Sequence, residues 1–163
     1  MAYTAKIVQV VVAAPSDCEH ERRVIRTVLD DWNAAHGRTR EIQLVYVGWD
    51  LNATPEQGDR PQAIINKQVL EGCDILVATF WTRIGTPTGE HESGTAEEIA
   101  EIVDRGKPVL IYKSNQPAAP STVDADQMKQ LDELLKKYYA NGIVEQYESV
   151  DDLYKKSMRA IAT

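Results

Sequence analysis

Two adjacent carboxylates, Glu97 and Glu98, stand at the start of a predicted helix, just past a glycine-rich loop. The apolar face of that helix is Ala96, Ile99, Ile102 and Val103. At about 100° per residue, Glu97 points nearly opposite that face, towards solvent. Glu98 falls on its flank, roughly 110° from the centre, where a first-turn residue can lean over the strand ends. Thr95-Ala96-Glu97-Glu98 also reads as a capping box, with Glu98 reaching back to the Thr95 backbone N–H. Spacing alone favours the cap over catalysis.

Around this pair lie residue types suited to a nucleotide-like ligand, which needs a ring platform, a group for ribose hydroxyls and donors for phosphate. Trp49 and Trp81 each follow a predicted strand, where an indole can stack on a base or close the edge of the core. Arg83, with the N–H groups around Gly94 and Thr95, can hold phosphate at a helix N-terminus. Arg83 can equally pair with an acid of the 90–98 segment. Ser16 and Asp17 can contact a sugar, although a helix cap is the stronger reading for both, and Thr82 lines the same crevice from the third loop.

Other chemistries find no support. GTPTGEHESGT lacks the Gly-Lys-Ser/Thr ending of a phosphate-binding loop, and no GxGxxG follows the first strand. His20, His36 and His91 have no metal-ligand spacing, and the neighbours Glu90-His91-Glu92 do not converge on one ion. Cys18 has no evident histidine partner for nucleophilic chemistry. No metal and no resident cofactor are expected.

The elements that must position these residues alternate along the chain. Lys6–Ala14 is a β-branched run, the pattern of a central parallel strand, and Pro15 stops it. Ser16-Asp17-Cys18-Glu19 opens a helix whose inner face is Val24, Ile25, Val28, Leu29 and Trp32, with Gly37 expected to close it. Strands follow at Ile42–Val47, Ile75–Trp81, Pro108–Tyr112 and, weakly, Val144–Tyr147. Trp49–Pro61 is a polar connector, and Pro61 starts a helix bearing Ile64, Ile65, Val69 and Leu70. Gly106 ends the Thr95 helix. A helix over Asp124–Tyr139 stops at Asn141-Gly142, and Ser149-Val150-Asp151-Asp152 caps the last one, through Ala160. Five strands alternating with five helices predict an α/β fold: a flavodoxin-like, doubly wound parallel five-stranded sheet, order 2-1-3-4-5, with helices on both faces and residues 1–163 as a single domain. Ligands of such sheets sit beyond the carboxyl ends of the strands, at the switch point between strands one and three.

The 163 residues carry a formal net charge of −7, with 43% hydrophobic and 26% charged content, as in an ordinary soluble globular chain. No basic run or basic-aromatic stripe suggests a nucleic-acid surface. No apolar stretch approaches the roughly 20 residues of a membrane span. Two cysteines, Cys18 and Cys73, suit a reducing compartment, so a cytoplasmic location is expected.

The stretch CDILVATFWTRIGTPTGEHESGTAEEIAEIVDRGKPVLIY resembles bacterial TIR-like domains (Toll/interleukin-1 receptor fold), which share a general plan with nucleoside 2-deoxyribosyltransferases. VVVAAPSDCEHERRVI and VGWDLNATPEQGDRPQAIINKQVLEGCDIL are similar to the same group, so the likeness covers most of residues 6–113. Its most specific part is Ser93-Gly94-Thr95-x-x-Glu98 followed by Gly106-Lys107-Pro108. In the deoxyribosyltransferases a Gly-Thr-x-x-Glu stretch supplies the nucleophilic carboxylate. In TIR enzymes that consume NAD, the catalytic glutamate lies on the corresponding helix. The resemblance therefore implies Glu98 as catalytic carboxylate and hydrolysis of the nicotinamide–ribose bond of NAD, the dinucleotide being substrate rather than cofactor. It implies a role in bacterial signalling or defence, and action through self-association. A nucleoside deoxyribosyltransferase or N-glycosidase using the same Glu98, and a non-catalytic self-associating module, are the alternatives. The chain departs from animal TIR domains at Trp49–Pro61, which replaces their BB loop.

Overall fold

The computed structural model describes residues 1–14, 18–48, 70–84 and 94–162. Within them lie strands β1 (Lys6–Ala13), β2 (Ile42–Val47), β3 (Ile75–Phe80), β4 (Val109–Ser114) and β5 (Val144–Tyr147). All pair in parallel, in the order β2-β1-β3-β4-β5, the order expected from the sequence. The longer helices are α1 (Glu19–Trp32), α2 (Gly94–Asp104), α3 (Ala125–Tyr139) and α4 (Val150–Ala162). The helix expected after Pro61 lies outside the described residues, apart from the buried Leu70 near its end. No helix among the described residues is long and apolar enough to cross a membrane.

The β-branched run of β1 is buried on both sides in its carboxyl half, as a central parallel strand must be. Side-chain alternation sends Val11 and Ala13 to one face and Val10 and Val12 to the other. The first face packs Ala96, Ile99 and Ile102 of α2 and Leu131, Leu134 and Leu135 of α3 over Leu76, Ala78, Phe80 and Ile111. The second packs Ile25, Leu29 and Trp32 of α1 and Leu153 of α4 over Val77, Tyr112 and Tyr147. The helix after β1 and the helix after β3 thus lie on opposite faces, and the winding reverses between those two neighbouring strands.

Helix ends follow local chemistry. Asp124 caps α3 by accepting from the Asp126 and Gln127 N–H groups. Ser149 accepts from the Asp152 N–H at 3.1 Å, while the Asp152 carboxylate accepts from the Glu148 N–H at 2.9 Å, a reciprocal cap at the start of α4. Gly106 closes α2 with φ +71°, and the Lys107 N–H reaches back to the Ile102 carbonyl.

Gly37 does not close the first helix. The helix runs on from α1 through a wider π-type turn, Asn33–Gly37, and one more turn, Arg38–Arg40, before Glu41 ends it in the left-handed region at φ 55°. Gly37 keeps right-handed helical geometry, and its small size serves another end. A Cβ there would lie 2.4 Å from the Gln43 side-chain nitrogen and 3.1 Å from the Ile42 carbonyl, so glycine lets the helix close on β2. Strand limits also move slightly. β1 stops at Ala13, β3 stops at Phe80 with Trp81 already in a bend, and β4 continues through Lys113 to Ser114.

Candidate functional site

α2 begins at Gly94, so Thr95 already has helical geometry and is not the cap. Counted from Gly94, Glu98 lies beyond the third helical position, where a capping box would place its acid. The solvent-facing direction expected for Glu97 is also overturned. Glu97 is 4% exposed and Glu98 7%, and Thr95, Ala96 and Ile99 beside them are buried as well. The turn is covered all round, so a helical wheel with one buried face does not separate the two acids. Neither carboxylate is without a partner. At the far end of α2, Val103, expected on the inner face, is 39% exposed.

Trp81, Thr82 and Arg83 leave the carboxyl end of β3, the strand that feeds α2. The Trp81 indole is half-buried, and its Nε1 donates to the Gln116 carbonyl at 3.0 Å, which ties the segment after β3 to the one after β4. Thr82 is buried and Arg83 exposed. The Ile84 N–H donates to the Gln127 side chain of α3 at 3.1 Å, so the chain leaving this end of the sheet is anchored on both sides. Gly94 and Thr95 form the first residues of α2, on the same strand–helix unit as Trp81, Thr82 and Arg83. Ser16, Asp17 and Trp49 lie outside the described residues.

A second polar locus, unforeseen from motifs, lies at the carboxyl end on the α1–α4 face. Glu21 of α1 is 4% exposed, and Tyr147, the last residue of β5, is fully buried. Burial pushes the Tyr147 phenol well above its ordinary value, and the neighbouring Glu21 carboxylate and Cys18 thiol push it further. Ser114, at the end of β4, also faces that phenol. A periodic signal for Glu21 did exist: it stands four residues before Ile25, on the same buried stripe as Ile25, Val28, Leu29 and Trp32. A charge on an inner stripe is the mark that was available. Among the described residues no group of three His, Cys, Asp or Glu side chains could hold a metal ion.

Comparison with known proteins adds a family. No curated protein matches the sequence. Among solved structures, flavodoxin 1 from Bacillus cereus is similar at 15% identity and a TM-score of 0.41, over 97% of this chain and 95% of that one. A short-chain flavodoxin associated with a non-canonical PDU bacterial microcompartment gives 16% identity and a TM-score of 0.37, over 96% and 99%. The flavodiiron protein from Giardia intestinalis gives 15% and 0.40, over 96% of this chain and 34% of its own, so this chain spans about a third of that protein's length. Likenesses this distant carry no argument, and the fold stands on the strand register of this chain. The model of a domain of unknown function, DUF4062, matches residues 9–162, and the chain belongs to that family.

Proposed function

We propose that this chain is a TIR-like domain that hydrolyses the nicotinamide–ribose N-glycosidic bond of NAD, with Glu98 as its catalytic carboxylate. The observation that carries this reading is the setting of Glu98. It is a buried carboxylate on the helix that follows central strand β3, next to the point where the winding reverses.

Breaking the C1′–N bond develops oxocarbenium character at the sugar. A carboxylate beside C1′ stabilises that charge or bonds to it transiently. Nicotinamide departs as a neutral base with the bonding electron pair, so no general acid is needed. Water then adds to C1′ and gives up one proton, leaving ADP-ribose and nicotinamide. The exposed Arg83 and the N–H groups of Gly94 and Thr95 at the helix start suit the diphosphate. The half-buried Trp81, held through its Nε1, offers a ring for stacking. Self-association of several copies and a role in bacterial signalling or defence belong to the same proposal.

The test is nicotinamide release from NAD by concentrated protein, wild type beside Glu98→Gln. We expect the variant to lose at least about 100-fold in turnover. Full turnover by Glu98→Gln would remove Glu98 from the chemistry. Base exchange on deoxynucleosides without NAD consumption would replace the reading with a deoxyribosyltransferase that uses the same carboxylate.

A further inference from the structure

Among the described strands, one charged side chain is directed to the face that α2 and α3 cover. Val109 and Ile111 of β4 belong to that core, and alternation sends Lys113 the same way, at the carboxyl end of the strand. Every other strand residue on that face is apolar or a glutamine. Lys113 is in register with Phe80, the last residue of β3, and is half-buried. Its Nζ donates to the Ser114 carbonyl at 2.7 Å, which holds the ammonium at the rim of the sheet instead of releasing it into solvent. An ammonium in such a place carries a desolvation cost that an apolar residue avoids.

The same rim carries the proposed site. α2 packs on β3 and β4. The chain leaving its last turn meets the amino end of β3, where the Leu76 N–H donates to the Pro108 carbonyl at 3.0 Å, so its first turn, with Glu97 and Glu98, lies towards the carboxyl ends. Trp81 donates through Nε1 to the Gln116 carbonyl, and the Gln116 N–H donates to Ser114 Oγ at 3.1 Å, so the indole is tied to the residue whose carbonyl holds Lys113. Glu97 and Glu98 gather negative charge at the helix start, in a chain of net charge −7. A diphosphate approaching them is repelled unless cations face it. Arg83, exposed on the segment after β3, is one such cation, and Lys113 supplies a second from the end of the neighbouring strand.

We propose that Lys113 pairs with the diphosphate of the ligand and so selects the dinucleotide over the bare nicotinamide nucleoside. The nicotinamide part of the ligand rests on the glycosidic reading above, whereas the need for a phosphate partner does not. A compact ammonium takes phosphate as a point charge. Lys113 already has partners within the chain, so a phosphate competes for it by charge rather than filling a gap. It takes no part in breaking the C1′–N bond, and its effect falls on binding.

The test measures nicotinamide release from NAD and from nicotinamide riboside, which has the same glycosidic bond and no phosphate, by wild type, Lys113→Gln and Lys113→Arg. We expect Lys113→Gln to raise KM for NAD by at least about tenfold, with kcat and the KM for the riboside changed less than about twofold. Lys113→Arg should recover most of the loss. Equal rises in KM for both substrates, or none for NAD, would overturn the proposal. Calorimetric binding of ADP-ribose to wild type and Lys113→Gln needs no turnover and separates the two readings. Weaker binding by the variant, from a wild type that releases no nicotinamide, would end the glycosidic reading and leave Lys113 as a phosphate partner. ADP-ribose that binds both proteins equally, or does not bind the wild type, would remove Lys113 from the site.

Discussion

Cys73 stands two residues before β3 with 4% of its surface exposed, among Leu70, Leu76 and Val109. Burial pushes its thiol up to about 11, with the Asp74 carboxylate adding to the rise. A bond with the Val11 backbone and the charges of Arg105 and Lys107 pull the other way and do not prevail. In the unfolded chain the thiol ionises near its ordinary value of 9.0. Between those values the unfolded state holds fewer protons than the folded one, so stability falls as pH rises. A rise of about two units corresponds to about 3 kcal/mol, lost in full only above pH 11. Tyr112 and Tyr147, whose phenols burial also pushes up, extend the decline at the alkaline end. The urea midpoint of the wild type should drop between pH 8 and pH 10, and that of Cys73→Ala should drop less over the same interval. Identical pH profiles for the two proteins would show that the thiol ionises as freely folded as unfolded. The same burial makes Cys73 a slow thiol, and the native protein should resist alkylation at pH 8.

Asn33 shows how a single side chain settles the edge of a sheet. β2 pairs with β1 on one side only, which leaves its other edge open. The Asn33 amide donates to the Leu44 carbonyl and accepts from the Leu44 N–H, both at 2.8 Å, and so stands in for a missing strand. It does so from the first residue of the π-type turn that lengthens the first helix. Asn33→Ala leaves both Leu44 groups unpaired beside a side chain 7% exposed, and should cost about 2 kcal/mol with no change in urea m-value. A cost below about 0.5 kcal/mol would mean that water takes the place of the amide. The same segment marks where sequence reading failed. Gly37 carries the usual sign of a helix end, but a glycine also permits close approach, and only the position of Gln43 and Ile42 tells the two apart. Strand β2 was legible to the residue because its apolar run is bounded by polar chain on both sides, whereas the contact that guards it crosses from another element and leaves no local mark. The preference for Glu98 over Glu97 is left resting on motif resemblance, since both acids are buried and the one-faced helical wheel that separated them does not hold.

Strand order was legible because in the sequence each strand is a short apolar run followed by a helical pattern, and alternation of that kind admits few windings. What alternation does not encode is how tightly each strand is held. β1 and β3 are each paired on both sides, and Val10–Ala13 of β1 match Ile75–Ala78 of β3 residue for residue. Those segments are also buried from above and below by helices on the two faces. β2 is covered on its outer edge by Asn33, and β5, only Val144–Tyr147, has exposed residues at Glu145 and Gln146. Opening the centre requires breaking both cores at once, while an edge can open against one neighbour. Native-state hydrogen exchange should therefore find its slowest amides at Val11, Val12, Val77 and Ala78, exchanging only through global unfolding. The β5 amides should exchange through a smaller opening, faster by at least about tenfold, which corresponds to about 1.4 kcal/mol. Amides of β5 as slow as those of β1 would show that α4, which packs Leu153 on the same core as Tyr147, locks the edge into the global unit. That result would make the Glu21–Tyr147 locus part of the most stable region of the fold rather than of a separable rim.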